Sequence, residues 1–176
     1  MFLLINGFPH FTWLDKLALI FDAAGHFKTM PFMVFALSVL GFLKKDKRLI
    51  TAAFLFALTL GLTSFIILVL KNTFLRPRPF LLQAGLHVLG NARGGSFPSG
   101  HAAFYAALAA FACFYYGRAK YFWIGIALVG GILRIYQGVH YPSDVVAGWV
   151  IGFGITHFFM KSILTSPVLG YNKKKE

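Results

Sequence analysis

Five stretches of the chain stay apolar for close to the length a bilayer crossing requires, about 20 residues each. They fall near residues 27–43, 49–70, 101–116, 121–139 and 144–164, and each predicts a transmembrane helix. The first and third are short and need flanking residues to reach both interfaces. The earlier stretch FTWLDKLALIFDAAGHF has a different texture. Asp15, Lys16 and Asp22 interrupt it, while Leu14, Leu17, Ala18 and Phe21 recur at helical spacing. This pattern predicts an amphipathic helix over 11–24 lying in the membrane interface, with a sixth, imperfect span as the competing reading. The expected fold is all-α, a polytopic transmembrane assembly occupying residues 1–176 as a single domain.

Composition supports that reading. Of the 176 residues, 58% are hydrophobic and 12% charged, and the mean hydropathy is +0.71. Soluble domains carry about 25% charged residues, so this chain lacks the polar surface to remain in water. The N-terminal MFLLINGF is short and uncharged for a secretory signal, so insertion is expected to use the internal apolar segments. The single cysteine, Cys113, lies in an apolar run and is expected to behave as a small buried hydrophobe.

Net charge is +12, from seventeen Lys and Arg against five Asp and Glu. The basic residues sit between apolar runs. Membrane orientation and anionic headgroups therefore explain them better than nucleic acid does, and no nucleic-acid partner is expected. Lys44, Lys45, Lys47 and Arg48 form one group, Arg118 and Lys120 a second, and Lys161 with Lys173 to Lys175 a third. Five spans place all three on one side, which the positive-inside rule makes cytoplasmic. Segments 71–100 and 140–143 then lie together outside, in the periplasm or at the cell exterior.

Those outer segments hold charge that orientation does not explain. Lys71, Arg76, Arg78, Arg93, His101, His140 and Asp144 gather there, and Arg134 sits within the fourth span, where a cation is costly and marks function by default. In KNTFLRPRP (71–79), Pro77 and Pro79 end the helix near Leu75 and leave Lys71 and Arg78 at the outer mouth. In FPSGH (97–101), Ser99 is a cap, Gly100 permits close approach to the backbone, and the helix N-terminus offers free N–H groups to an anion, with His101 beside it. A packing helix would need the cap and not the histidine. In RIYQGVHYPSD (134–144), His140 ends one span, Asp144 begins the next, and Ser143 is the expected cap. A carboxylate on one imidazole nitrogen leaves the other free to attack.

Three strong cations, a helix N-terminus, two histidines and an aspartate suit phosphoryl transfer. One histidine attacks phosphorus, and the other protonates the leaving oxygen and later activates water. The outer side offers only Asp15, Asp22 and Asp144 as carboxylates, too few and too scattered to hold a divalent ion, so no metal and no cofactor are expected.

At these residues the chain resembles the type 2 phosphatidic acid phosphatase superfamily, whose signature is K-x6-RP, PSGH and SR-x5-H-x3-D. Lys71 with Arg78 and Pro79, Pro98 to His101, and Arg134 with His140 and Asp144 match at all three spacings, and Leu133 stands where the family usually has serine. The resemblance spans residues 71 to 144. It implies a helical-bundle fold, with His140 as nucleophile forming a phosphohistidine, Asp144 orienting it, and His101 as general acid and then base. Lys71, Arg78, Ser99, Gly100 and Arg134 would hold the phosphate. It also implies a lipid phosphate substrate without a metal cofactor, and the likeness to the short bacterial lipid A members favours lipid A 1-phosphate. Phosphatidylglycerophosphate and undecaprenyl diphosphate are the alternative substrates. A vanadium haloperoxidase, which has a similar motif set, is disfavoured by the apolar composition. A lipid-phosphate binding or transport protein is disfavoured by the complete histidine pair.

Outside the signature, loop 80–97 is long enough for a lid or binding loop, with Gly85, Gly90, Gly94 and Gly95 allowing movement. Arg93 is expected at the surface, with contact to a second phosphate or a sugar headgroup as the alternative, and His10, His26 and His87 are expected at the surface. Arg76 is read as an aid to Arg78 that the family pattern does not place in the site, and His157 is expected to hydrogen-bond a neighbouring helix. Gly148 and Gly152 form a small-xxx-small pair, read first as packing within the bundle and second as a dimer contact.

Overall fold

A computed structural model describes residues 1–26, 29–90, 92–115 and 117–164. The expectation for Lys173 to Lys175 lies outside the described residues. The described chain is helical, and no strand occurs among these residues. The order is α1 (Phe2–Asn6), α2 (Thr12–Ala24), α3 (Thr29–Leu43), α4 (Lys47–Phe74), α5 (Pro79–Leu82), α6 (Gly100–Tyr115), a 3-10 turn (Gly117–Ala119), α7 (Lys120–Tyr136) and α8 (Pro142–Leu164). α3, α4, α6, α7 and α8 occupy the five predicted segments. α4 and α8 are each long and apolar enough to cross a bilayer. The chain is an integral membrane protein, and Phe32, Phe54, Phe65, Val150 and Phe158 turn outward from the bundle as a lipid-facing surface.

α6 is the central helix because it is built from small residues. Ala102, Ala103, Ala106, Ala107, Ala109, Ala110 and Ala112 are all buried, which lets neighbouring helices approach it from several sides. α8 makes the closest approach. A Cβ on Gly148 would run into the Ser99 carbonyl oxygen, and one on Gly152 into that of Ala103. The small-residue pair therefore serves packing within the bundle.

Helix ends set the face that carries the candidate residues. Asp46 caps α4 by accepting from the Arg48 and Leu49 amides at 2.9 and 3.1 Å. At the other end Leu75 turns left-handed (φ 43°) and closes the helix on the Lys71 carbonyl, as Pro77 forces. α7 stops at Tyr136, three residues before the expected 139, because Gly138 adopts φ +72°. α8 begins two residues early, with Pro142 in its first turn. Ser143 is consequently inside the helix and is not its cap.

α2 has the predicted face, and that face packs on protein. Ala18 is fully buried against Leu133 and Tyr136, with Leu14, Leu17 and Phe21 beside it. At thirteen residues α2 is about 20 Å long, short of a roughly 30 Å hydrocarbon core. His10 and His87 are not simple surface residues. The His10 ring stacks on His87 at 3.6 Å and on Tyr136 at 4.3 Å, while its Nδ1 lies 2.9 Å from Asp15 Oδ1. Together with Asn6, whose amide donates to the His87 and Tyr136 carbonyls, these contacts pin the loop after α5 to α1, α2 and α7. Loop 80–97 is thus anchored at mid-length instead of hanging free as a lid. The His157 ring packs against Phe114 and Phe153, with centroids 5.1 and 5.6 Å away. Cys113 is half-buried, not enclosed as expected, because it sits near the C-terminal end of α6.

Candidate active site

The turn between α7 and α8 presents His140, which is 2% exposed. Its Nδ1 lies 3.5 Å from Asp144 Oδ2, within ion-pair reach but not aligned as a hydrogen bond. Its Nε2 lies 3.3 Å from Arg78 Nη1. Guanidinium only donates, so Nε2 must present its lone pair, and the proton of the neutral ring belongs on Nδ1 facing Asp144. Burial pushes the imidazole down to about 3. Arg134, Arg78 and Lys71 act in the same direction, and the Asp144 contact opposes them. The result is a neutral ring with a lone pair among cations.

Asp144 is placed by helix capping. It is the third residue of α8, and Oδ2 reaches back to accept from the Tyr141 amide at 2.9 Å, the reciprocal half of a capping box. Its backbone carbonyl accepts from the Ser99 amide at 2.9 Å, which joins the α8 start to the α6 start. Its Oδ1 accepts from Arg76 Nη1 at 2.7 Å, and Arg76 also donates to Ser143 Oγ and covers the Tyr141 ring at 4.1 Å. Arg76 therefore belongs to the site, contrary to the sequence-based expectation. Its side chain lies over the only carboxylate on the third motif, and the spacing pattern carried no signal for that.

Arg78 spends its guanidinium on backbone. Nε donates to Gly94 O at 3.0 Å, Nη1 to Val139 O at 2.9 Å, and Nη2 to Arg93 O and Gly95 O at 2.9 and 3.3 Å. Lys71 Nζ donates to Gly95 O at 2.6 Å. The first motif thus grips the end of the loop after α5 and holds it beside His140. Arg93 remains exposed as expected, and it is its carbonyl that takes part.

At the start of α6, Ser99 is the cap, its Oγ accepting from the Ala102 amide at 3.4 Å. A Cβ on Gly100 would meet only Ile67 Cγ2, at an ordinary 3.7 Å. Packing therefore does not demand glycine there. His101 Nε2 lies 3.0 Å from the Asp22 carbonyl oxygen and 3.2 Å from Asp22 Oδ1. His26 is no isolated surface residue, since its ring stands edge-on to His101 with centroids 6.3 Å apart.

Arg134 is 5% exposed, and its Nη1 donates to Asp22 Oδ1 and to Gln137 Oε1. Its Nε is buried without a hydrogen-bond partner. Asp22 is the residue that motif spacing missed. A weaker signal existed, because Asp15, Ala18 and Asp22 share one face of α2. A carboxylate on a buried stripe requires a buried cation, and Arg134 was the one candidate inside a span.

Direct contacts run from motif to motif. Lys71 and Arg78 share Gly95 O, Arg78 touches His140, Asp144 ties to Ser99, and Asp22 joins His101 to Arg134. Lys71, Arg78, Ser99, His101, Arg134, His140 and Asp144 are each held by one of these contacts, and Gly100 lies between Ser99 and His101. Both carboxylates already face cations, Asp22 toward Arg134 and Asp144 toward Arg76, a donor set better suited to orienting side chains than to chelating an ion.

Comparison with known proteins matches residues 52–167 to the PAP2 superfamily. YbjG of Escherichia coli (strain K12), provisionally named an undecaprenyl-diphosphatase, is 30% identical over 154 residues, covering 86% of this chain and 75% of that one. A lipid A 1-phosphatase of Rhizobium etli is 40% identical over 63 residues, which is 36% of this chain and 27% of that protein. The crystal structure of Aquifex aeolicus LpxE superposes with a TM-score of 0.77 at 28% identity, over 91% of this chain and 92% of that one.

Proposed function

From the premise that the chain belongs to the PAP2 superfamily and is a phosphatase of that family, we propose that it hydrolyses a lipid phosphate without a metal, through a phosphohistidine, at the outer face of the cytoplasmic membrane. The observation that carries this reading is the pairing of His140 Nε2 with Arg78 at 3.3 Å while Nδ1 faces Asp144. It gives a neutral nucleophile whose attacking nitrogen already lies against a cation.

The reaction follows from that arrangement. The His140 Nε2 lone pair forms a bond to phosphorus, and the phosphorus–oxygen bond to the lipid breaks. The leaving oxygen takes a proton from His101. His101, now neutral, accepts a proton from water as its oxygen bonds to phosphorus; the phosphorus–nitrogen bond breaks, and inorganic phosphate departs. Lys71, Arg78, the Arg134 Nε–H and the free amides at Gly100 and His101 would carry the charge on the equatorial oxygens. Preorganised donors of this kind are each worth about 3 kcal/mol in acyl-transfer sites.

Lipid A 1-phosphate is the proposed substrate, supported by the 40% identity to the Rhizobium etli enzyme over 63 residues. Undecaprenyl diphosphate is the second reading, favoured by the longer match to YbjG. Phosphate release by purified protein from a panel of lipid phosphates in EDTA tests the reaction. An alkaline quench with labelled substrate tests for an acid-labile adduct that His140→Ala abolishes. No release from any lipid would end the reading, and release that requires a divalent ion would end the metal-free mechanism. Single cysteines at positions 44 and 92, in a Cys113→Ala background, test the face. Labelling of both from the same side would overturn it.

A further inference from the structure

Asp22 belongs to none of the three motifs, yet it makes the closest polar contacts to two of their residues. Its carboxylate meets both Arg134 Nη1 and His101 Nε2, and its backbone carbonyl meets His101 Nε2 again. The last turn of α2 is docked to make this possible. Tyr105 Oη donates to the Phe21 carbonyl at 2.6 Å, and Gly25 lies so close that a Cβ there would be 2.8 Å from His101 Cδ2 and from Tyr105 Cε2. The last turn of a helix carries the negative end of its dipole; here the Phe21 carbonyl accepts from the Gly25 amide as well as from Tyr105, and the Asp22 carbonyl faces His101. α2 thus delivers two carbonyls and one carboxylate to the first turns of α6.

We propose that Asp22 is a positioning residue for proton transfer, fixing His101 with its Nε2 proton held and its Nδ1 left to give and take the proton of the reaction. The proposal rests on the reading of His101 as general acid and base. It makes the site a pair of opposed histidine–aspartate couples. Asp144 faces Nδ1 of His140 and frees Nε2 to attack; Asp22 faces Nε2 of His101 and frees Nδ1 to exchange a proton. The same Asp22 oxygen holds Arg134 Nη1, leaving the Arg134 Nε–H for a phosphoryl oxygen. The charged and titratable groups facing His101 are Asp22 and His26 from the α2 side and Arg134 from α7.

Leaving-group dependence tests this. An alkyl oxygen cannot depart without a proton, whereas p-nitrophenolate can. The measure is kcat/KM, which reports transfer to His140 and excludes hydrolysis of the adduct. Asp22→Asn keeps the size and the backbone contact. It should lower kcat/KM for dodecyl phosphate at least about tenfold and for p-nitrophenyl phosphate by less than about threefold, in the pattern of His101→Ala. Gly25→Ala, which crowds His101 while leaving Asp22 intact, should give the same skew and serves if Asp22→Asn does not fold. In the double variant Asp22→Asn/His101→Ala, the skew should not grow beyond that of His101→Ala. Equal losses on both substrates in Asp22→Asn, alongside a skew in His101→Ala, would overturn the role of Asp22 alone. Equal losses in His101→Ala would overturn the role of His101, and this proposal with it.

Discussion

Arg78 Nη1 lies 3.3 Å from His140 Nε2 and 2.9 Å from the carbonyl of Val139, so one guanidinium edge spans the proposed nucleophile and the backbone that presents it. The opposite edge holds the carbonyls of Arg93, Gly94 and Gly95. No point charge can make that set of contacts.

Arg78→Lys should therefore fail as a conservative change. Lysine offers three donors from a single atom and no fork. It would lose the bonds to the part-buried Arg93 and Gly94 carbonyls, while Gly95 O keeps Lys71, at about 1 kcal/mol for each bond lost. Steady-state kinetics should show kcat/KM falling about 100-fold or more, and Arg78→Ala should be no better. An Arg78→Lys variant within about threefold of the parent would refute this use of the guanidinium.

The His140 environment sets a pH dependence with a definite sign. Burial, reinforced by Arg134, Arg78 and Lys71, lowers the folded-state value to about 3, against about 6.5 for an unfolded-chain histidine. A group depressed on folding contributes stability that is fully present above the unfolded value. That contribution drains as pH falls from about 6.5 toward the folded value, because the unfolded chain then binds the extra proton. Thermal unfolding in detergent should show the midpoint declining through that window, and His140→Asn should flatten the decline. Catalysis should follow the other consequence: the nucleophile stays neutral through pH 5, so no acid limb near 6.5 should come from His140. An acid limb at 6.5 that disappears in Lys71→Met would contradict the sign, since removing a cation must raise the value.

Much of this site was legible because covalent spacing carries it. Lys71 and Arg78 sit across a proline-terminated helix end, Ser99 to His101 form a helix start, and Arg134, His140 and Asp144 span one turn, so local rules locate them. The α2 stripe was legible as a stripe, and Ala18 lies where the period put it. What it packs against was not, because periodicity reports that a face is buried without naming the partner. Asp22 and Arg134 are 112 residues apart and Arg76 and Asp144 are 68 apart. Pairings of that range depend on how the helices pack; the α2 stripe hinted that Asp22 needs a cation, and no local pattern pointed from Arg76 to Asp144. The same applies to His10 and His87, whose stacking depends on the path of the loop after α5.

Helix packing around the site predicts a contrast between two glycines of α8. A Cβ at Gly152 would strike the Ala103 carbonyl, whereas one at Gly154 meets nothing within 4 Å. Ala103 is backbone of the central helix, two residues beyond His101, and cannot step aside. Gly152→Ala should cost on the order of 1–3 kcal/mol and displace the α6 start, lowering both folded yield and activity. Gly154→Ala should leave both unchanged. Equal behaviour of the two variants in detergent-solubilised yield and Tm would contradict the packing.

Gly100 separates packing from chemistry in the opposite way. An alanine methyl there would rest against Ile67 Cγ2 at 3.7 Å, an ordinary contact, and alanine is the better helix former by about 1 kcal/mol in a helix interior, less at a first turn. Gly100→Ala should thus fold with an unchanged or slightly raised Tm. The proposed anion nevertheless sits over the amides of this turn, where the methyl would stand in the way. kcat/KM for a lipid phosphate and the affinity for inorganic phosphate or vanadate should both fall, by about tenfold or more if one backbone donor is lost. A destabilised Gly100→Ala would mean that glycine is kept for packing after all. A stable variant with full activity would mean that the phosphoryl group does not bind at the α6 N-terminus, and that Lys71, Arg78 and Arg134 hold it elsewhere.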